Sequence, residues 1–131
     1  MKEKVSKKFS ELYGEGAILF ASPGRINLIG EHTDYNGGFV FPGAVDKGIV
    51  AAIKLNGTDK VRAYALDLGE SSEFGLDEAD KPAQSWACYI FGVCREIQKR
   101  GGKIGGFDTV FAGDACPRSR PCGCGRRAWP E

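Results

Sequence analysis

Between Pro23-Gly24 and Asn36-Gly37-Gly38 stand the side chains best able to do chemistry in this chain: Arg25, Glu31, His32 and Asp34. Turn-forming residues bound the stretch at both ends. Glu31, His32 and Asp34 lie within four residues of one another, so a tight loop can point all three at one small ligand. Carboxylates accept hydrogen bonds from hydroxyls, and a neutral imidazole both donates and accepts. That set suits a polyhydroxylated molecule such as a sugar. Two other readings stay open on these residues alone. A polar loop with glycines is commonly a solvated connection. His32-x-Asp34 could also be half a metal site, although the chain holds one histidine and no matching ligand cluster.

Elements on either side must position this loop. Ala17–Ala21 is an apolar run of the right length for a buried strand leading into it. Upstream, Val5, Phe9, Leu12 and Tyr13 fall at i, i+4, i+7 and i+8, which predicts a helix over 3–13, packed on the rim of the domain and ended by Gly14 and Gly16. Downstream, Phe39-Val40-Phe41 is a short apolar run closed by Pro42-Gly43. Residues 49–55 and 61–66 read as strands, and the Asn56-Gly57-Thr58-Asp59 between them predicts a hairpin. Residues 72–76 extend the same meander, and 77–84 read as a connection. Trp86, Ile90, Val93 and Ile97 then recur at helical spacing, which predicts a helix over 85–100 with those residues, Trp86 included, as its core stripe and Ser85 as N-cap. Arg95, Lys99 and Arg100 complement its dipole, and Gly101-Gly102 stops it. Residues 107–111 read as a strand.

The fold class this implies is α+β: a mixed, antiparallel-rich sheet with helices on one face. At 131 residues the chain suffices for one domain. A net charge of +1 gives no reason to expect nucleic acid as a partner. There is no apolar run of transmembrane length and no apolar segment after the basic start, so neither a membrane span nor a secretory signal is expected. Five cysteines, an odd number, fit a reducing cytosol, with Cys88 and Cys94 as buried thiols. Residues 115–131 have no hydrophobic period. They carry four arginines against one glutamate, net +3, which leaves −2 for residues 1–114. The sequence predicts a disordered tail there, resembling an out-of-frame end, and a zinc site at Cys116, Cys122 and Cys124 lacks a fourth ligand at a suitable spacing.

The run Gly24-Arg25-Ile26-Asn27-Leu28-Ile29-Gly30-Glu31-His32-Thr33-Asp34-Tyr35 resembles the amino-terminal signature of galactokinases, sugar kinases of the GHMP family. The resemblance continues through Phe39–Asp46, Trp86-x-x-Tyr89-x-x-Gly92-Val93, Gly106-Phe107-Asp108 and Gly113-Asp114, covering roughly residues 9–114. It implies the first part of a GHMP amino-terminal domain, over residues 1–114. It implies that Glu31, His32 and Asp34 bind galactose, with the backbone around Thr33 close by. Arg25 corresponds to the family arginine beside the reacting centre, where a guanidinium stabilises charge on a transferring phosphoryl group. From the residues alone, the alternative for Arg25 is a salt bridge that ties the loop to the sheet. Asn27 is expected to brace the loop backbone.

The resemblance further implies ATP and Mg²⁺ as cofactors, galactose 1-phosphate as product, a monomer, and a cytoplasmic location. No aspartate of this chain matches the family's catalytic aspartate, and nothing after Asp114 matches its phosphate loop, so the chain by itself is expected to be inactive. The alternatives are a non-catalytic sugar-binding or sensor protein, a non-functional truncated product, and a GHMP kinase for another sugar.

Overall fold

The computed structural model describes residues 1–30, 32–77 and 81–114, and of Asp34 the backbone only. Expectations for Glu31, the Asp34 carboxylate, residues 78–80 of the connection, the tail and the zinc reading of Cys116, Cys122 and Cys124 lie outside the described residues. The elements are α1 (Lys2–Tyr13), β1 (Ile18–Asn27), β2 (Pro42–Leu55), β3 (Lys60–Ala65), β4 (Glu70–Gly75), α2 (Ser85–Lys99) and β5 (Phe107–Gly113), with one 3-10 turn at Asp34–Asn36. The strands form a five-stranded sheet in the order β1-β2-β5-β3-β4. It is mixed: β3 runs antiparallel to β4 and parallel to β5. The described residues divide into two compact units, Met1–Ser22 with Val50–Ala112, and Pro23–Ile49 with Gly113 and Asp114.

In the first unit, Val5 and Phe9 of α1 pack on Val50 and Ala52 of β2 and on Val110 and Ala112 of β5. Phe9 and Val5 are completely buried, so α1 covers the centre of a sheet face and not the rim of the domain. Burying side chains of this size contributes about 1.5–3 kcal/mol each. Gly14 ends the helix at φ 80°, and its N–H bonds Ser10 O. On α2, Phe91 and Cys94 pack with Val61, Phe74 and Leu76, with Ile90, Ile104 and Phe107 at the edge. Alternate residues of a strand point to opposite faces. Val110 and Ala112 meet α1 while Phe107 and Phe111 meet the α2 side, so the two helices lie on opposite faces of the sheet and not on one.

The hairpin expected at 56–59 does not form, because β5 is inserted between β2 and β3. The turn itself is present, with Gly57 at φ 69° and Asn56 Oδ1 accepting from the Thr58 N–H at 3.0 Å. Its backbone bonds go to the incoming strand: Asn56 N donates to Gly106 O at 3.1 Å, and Gly106 N to Thr58 O at 2.7 Å. Gly106 is wedged so closely that a Cβ would run into Thr58 O and lie 2.5 Å from Lys60 O. Asp108 of β5 accepts from Nε and Nη2 of Arg62, at 2.7 Å each, and from the Asn56 amide at 2.9 Å. That ties β3, β5 and the end of β2 together.

On α2 the buried stripe is Ala87, Phe91 and Cys94, one position later than expected; Val93 and Ile97 are exposed. Phe91 meets Phe74 edge-on, ring centroids 5.5 Å apart. Trp86 is half-buried: its ring lies against Phe111, and its indole N–H donates to Glu70 Oε2 at 2.9 Å. The N-cap is Gln84, not Ser85. Gln84 anchors the helix start to β4, accepting from Ser72 Oγ at 2.9 Å. Cys94 is buried and Cys88 half-buried, both as free thiols. No helix among the described residues is long and apolar enough to cross a membrane.

Candidate functional site

The second unit carries the polar signature, and its geometry departs from a plain loop at once. Pro23-Gly24, read as a turn, lies inside β1, which runs on to Asn27. A proline lacks the N–H that a central strand needs but is tolerated on an edge strand, and β1 is the edge of the sheet. The strand expected to be buried at Ala17–Ala21 is not: Ile18, Leu19 and Phe20 are exposed, as is Ile26 further along β1. Phe39 and Phe41 are exposed as well, and β2 begins only after them, at Pro42.

The loop proper spans residues 28–41. Its base is closed by two backbone bonds, Leu28 N to Phe41 O at 3.0 Å and Phe41 N to Ile29 O at 2.9 Å. Inside, the loop is held by its own groups, as in compact Ω-type loops. Thr33 is the centre of this bracing. Its hydroxyl lies 2.6 Å from Gly30 O and 3.0 Å from Phe39 O, and its carbonyl accepts from Asn36 N at 3.1 Å and Gly38 N at 2.8 Å. Gly30, at φ 106°, allows this closure: a Cβ there would lie 2.7 Å from Phe39 O and 2.8 Å from Val40 Cα.

His32 is the one described non-glycine residue with positive φ, 62°. Such a conformation costs of order 1–3 kcal/mol outside glycine and gathers at functional sites. The Asn36 amide donates to His32 O at 2.8 Å and holds it there. The exposed ring bonds Tyr35: Nδ1 lies 2.8 Å from the phenol oxygen, and the rings meet edge-on at 6.1 Å. Asp34 opens the 3-10 turn that carries Tyr35 and Asn36.

The structure thus brings His32, Thr33 and the Asp34 backbone into one braced turn. Arg25 stands exposed on β1, and the ion pairs among the described residues do not include it. Asn27, expected to brace the loop, has Oδ1 buried with no hydrogen-bond partner among the described residues. Among the described residues no group of three His, Cys, Asp or Glu side chains could hold a metal ion. Sequence reasoning missed the roles of Gly30 and Tyr35 and the bracing hydroxyl of Thr33. A glycine set two residues before a histidine was the one available signal, and it fits many loops.

Residues 7–55 match the family model of the galactokinase galactose-binding signature. Over 112 residues the chain is 37% identical to a galactokinase of Roseiflexus sp. (strain RS-1), covering 85% of this chain and 29% of that protein. Among solved structures it resembles the galactokinase of Lactococcus lactis complexed with galactose, at 39% identity and a TM-score of 0.77, covering 86% of this chain and 30% of that one. It also resembles the mevalonate kinase of Methanococcus jannaschii, at 20% identity and a TM-score of 0.60 over 79% of this chain and 34% of that one, a likeness of fold. The chain spans about 30% of the length of the galactokinases it matches.

Proposed function

We propose that this chain, a relative of the amino-terminal part of galactokinases, carries the galactose-binding segment of an enzyme that phosphorylates galactose to galactose 1-phosphate with ATP and Mg²⁺. The observation that carries the reading is the braced turn at residues 30–38, which holds His32 in a strained, exposed conformation beside Asp34. A loop serving only as a connection has no need of that strain. Support comes from the signature match over residues 7–55 and from the likeness to a galactokinase solved with galactose.

In this reading Glu31 and Asp34 accept hydrogen bonds from sugar hydroxyls, His32 adds a further polar contact, and the Thr33 backbone lies alongside. Arg25 stabilises charge on the phosphoryl group as it transfers, where a planar guanidinium acts in the transition state. The partner is a small molecule, and the whole enzyme works as a cytoplasmic monomer. The test is galactose titration of the chain by calorimetry, with Asp34→Ala beside it. The expected result is binding that weakens by about 1–3 kcal/mol in the variant, the cost of leaving sugar hydroxyls unpaired. Equal affinity in both would remove Asp34 from the pocket.

A further inference from the structure

The contact between His32 and Tyr35 has no counterpart in the sugar-binding role assigned to the signature. We infer that Tyr35 is a positioning residue for His32: its phenol donates to Nδ1, holds the ring as the Nε2–H tautomer, and leaves Nε2–H as the donor that His32 offers a sugar oxygen. The inference rests on the galactose-binding reading and specifies the part His32 plays in it.

An exposed imidazole ordinarily rotates freely and exchanges its proton between two nitrogens. Here three features restrain it. The backbone is fixed at φ 62° and pinned by the Asn36 amide on His32 O. The phenol oxygen of Tyr35 lies 2.8 Å from Nδ1. The two rings meet edge-on at 81°, which sets the plane of the imidazole. A phenol is a better donor than acceptor, because its oxygen lone pair is delocalised into the ring, and unprotonated imidazole nitrogen is a good acceptor. The proton of the imidazole then belongs on Nε2. That choice complements the neighbours. Ionised Glu31 and Asp34 can only accept, whereas a sugar hydroxyl both donates and accepts. A pocket built of carboxylates alone would leave sugar oxygens without donors, and His32 in the Nε2–H form supplies one.

His32 is the single histidine of the chain, so its nitrogens can be followed without ambiguity by long-range ¹H–¹⁵N NMR on the whole 131-residue chain labelled at histidine. At mildly alkaline pH the expected pattern is a protonated Nε2 and a hydrogen-bonded, unprotonated Nδ1. In Tyr35→Phe the Nδ1 signal should move toward that of free imidazole. Adding galactose should shift the Nε2 signal, with affinity about three- to tenfold lower in Tyr35→Phe, the worth of one net hydrogen bond. The same nitrogen pattern in both chains, a proton on Nδ1 of the unaltered chain, or equal galactose affinity in the two would each overturn the inference. If the Tyr35 dependence appears but galactose moves no His32 signal, the tyrosine still orients the ring, and the sugar-binding reading is what falls.

Discussion

Thr33 spends its hydroxyl, its N–H and its carbonyl inside the loop, on Gly30, Phe39, Asn36 and Gly38. Its value to a ligand is therefore the frame it builds. Thr33→Val keeps the shape and removes the donor, which should cost about 0.5–1.5 kcal/mol locally. The Asn36 and Gly38 amides, which bond Thr33 O, should then exchange their hydrogens faster, and galactose should bind more weakly. Thr33→Ser, which keeps the hydroxyl, should restore both readouts; hydrogen-exchange NMR and calorimetry check them, and a serine variant as loose as valine would mean that the hydroxyl by itself does not brace the loop. The density of ionisable groups made His32, Glu31 and Asp34 visible as site candidates from sequence. The bracing was not visible, because Thr33, Gly30 and Tyr35 act through distances closed only when the chain turns back on itself.

At the level of elements, the same limit explains why helices and strands were found but their partners were misjudged. Asn56-Gly57 does make a turn, yet nothing local announces that Gly106, about fifty residues on, slots between the two strands. On α2 two adjacent stripes are both apolar, Trp86-Ile90-Val93-Ile97 and Ala87-Phe91-Cys94. Periodicity does not choose between them, and the Phe74–Phe91 contact does. The latch around Asp108 gives the element-level test. Asp108 is buried, with 5% of its side chain exposed, while Arg62 is 45% exposed. Removing the arginine leaves a buried carboxylate held, among the described residues, by the Asn56 amide alone, whereas removing the carboxylate's charge leaves a guanidinium that water can reach. Arg62→Met should therefore destabilise the fold by about 3–5 kcal/mol, and Asp108→Asn by clearly less. Urea unfolding of the two variants checks the order, and a reversed order would mean that the latch is held chiefly by the carboxylate's bonds to neutral groups.

For the whole molecule, the question is what the chain does alone. The first unit exposes Leu55, Tyr89, Val93 and Ile97, and the second exposes Leu28, Ile29, Phe39 and Phe41. Apolar surface of this kind favours self-association in an isolated chain. Phosphoryl transfer also requires a cradle for the phosphates, typically free N–H groups at a helix start, and a bound divalent cation. Of the two helices described, α1 has an acidic residue, Glu3, in its first turn, which repels phosphate. On α2 the Ala87 and Cys88 N–H groups are already turned back onto Gln84 O. Pro117 and Pro121 lack the N–H that such a cradle uses. On the reading proposed above, the chain by itself is expected to bind galactose without phosphorylating it. Incubation with galactose, ATP and Mg²⁺, beside a complete galactokinase at equal concentration, should give no galactose 1-phosphate above background. Turnover within about tenfold of the complete enzyme, a barrier difference of only about 1.4 kcal/mol, would mean that these 131 residues contain a phosphate site of their own.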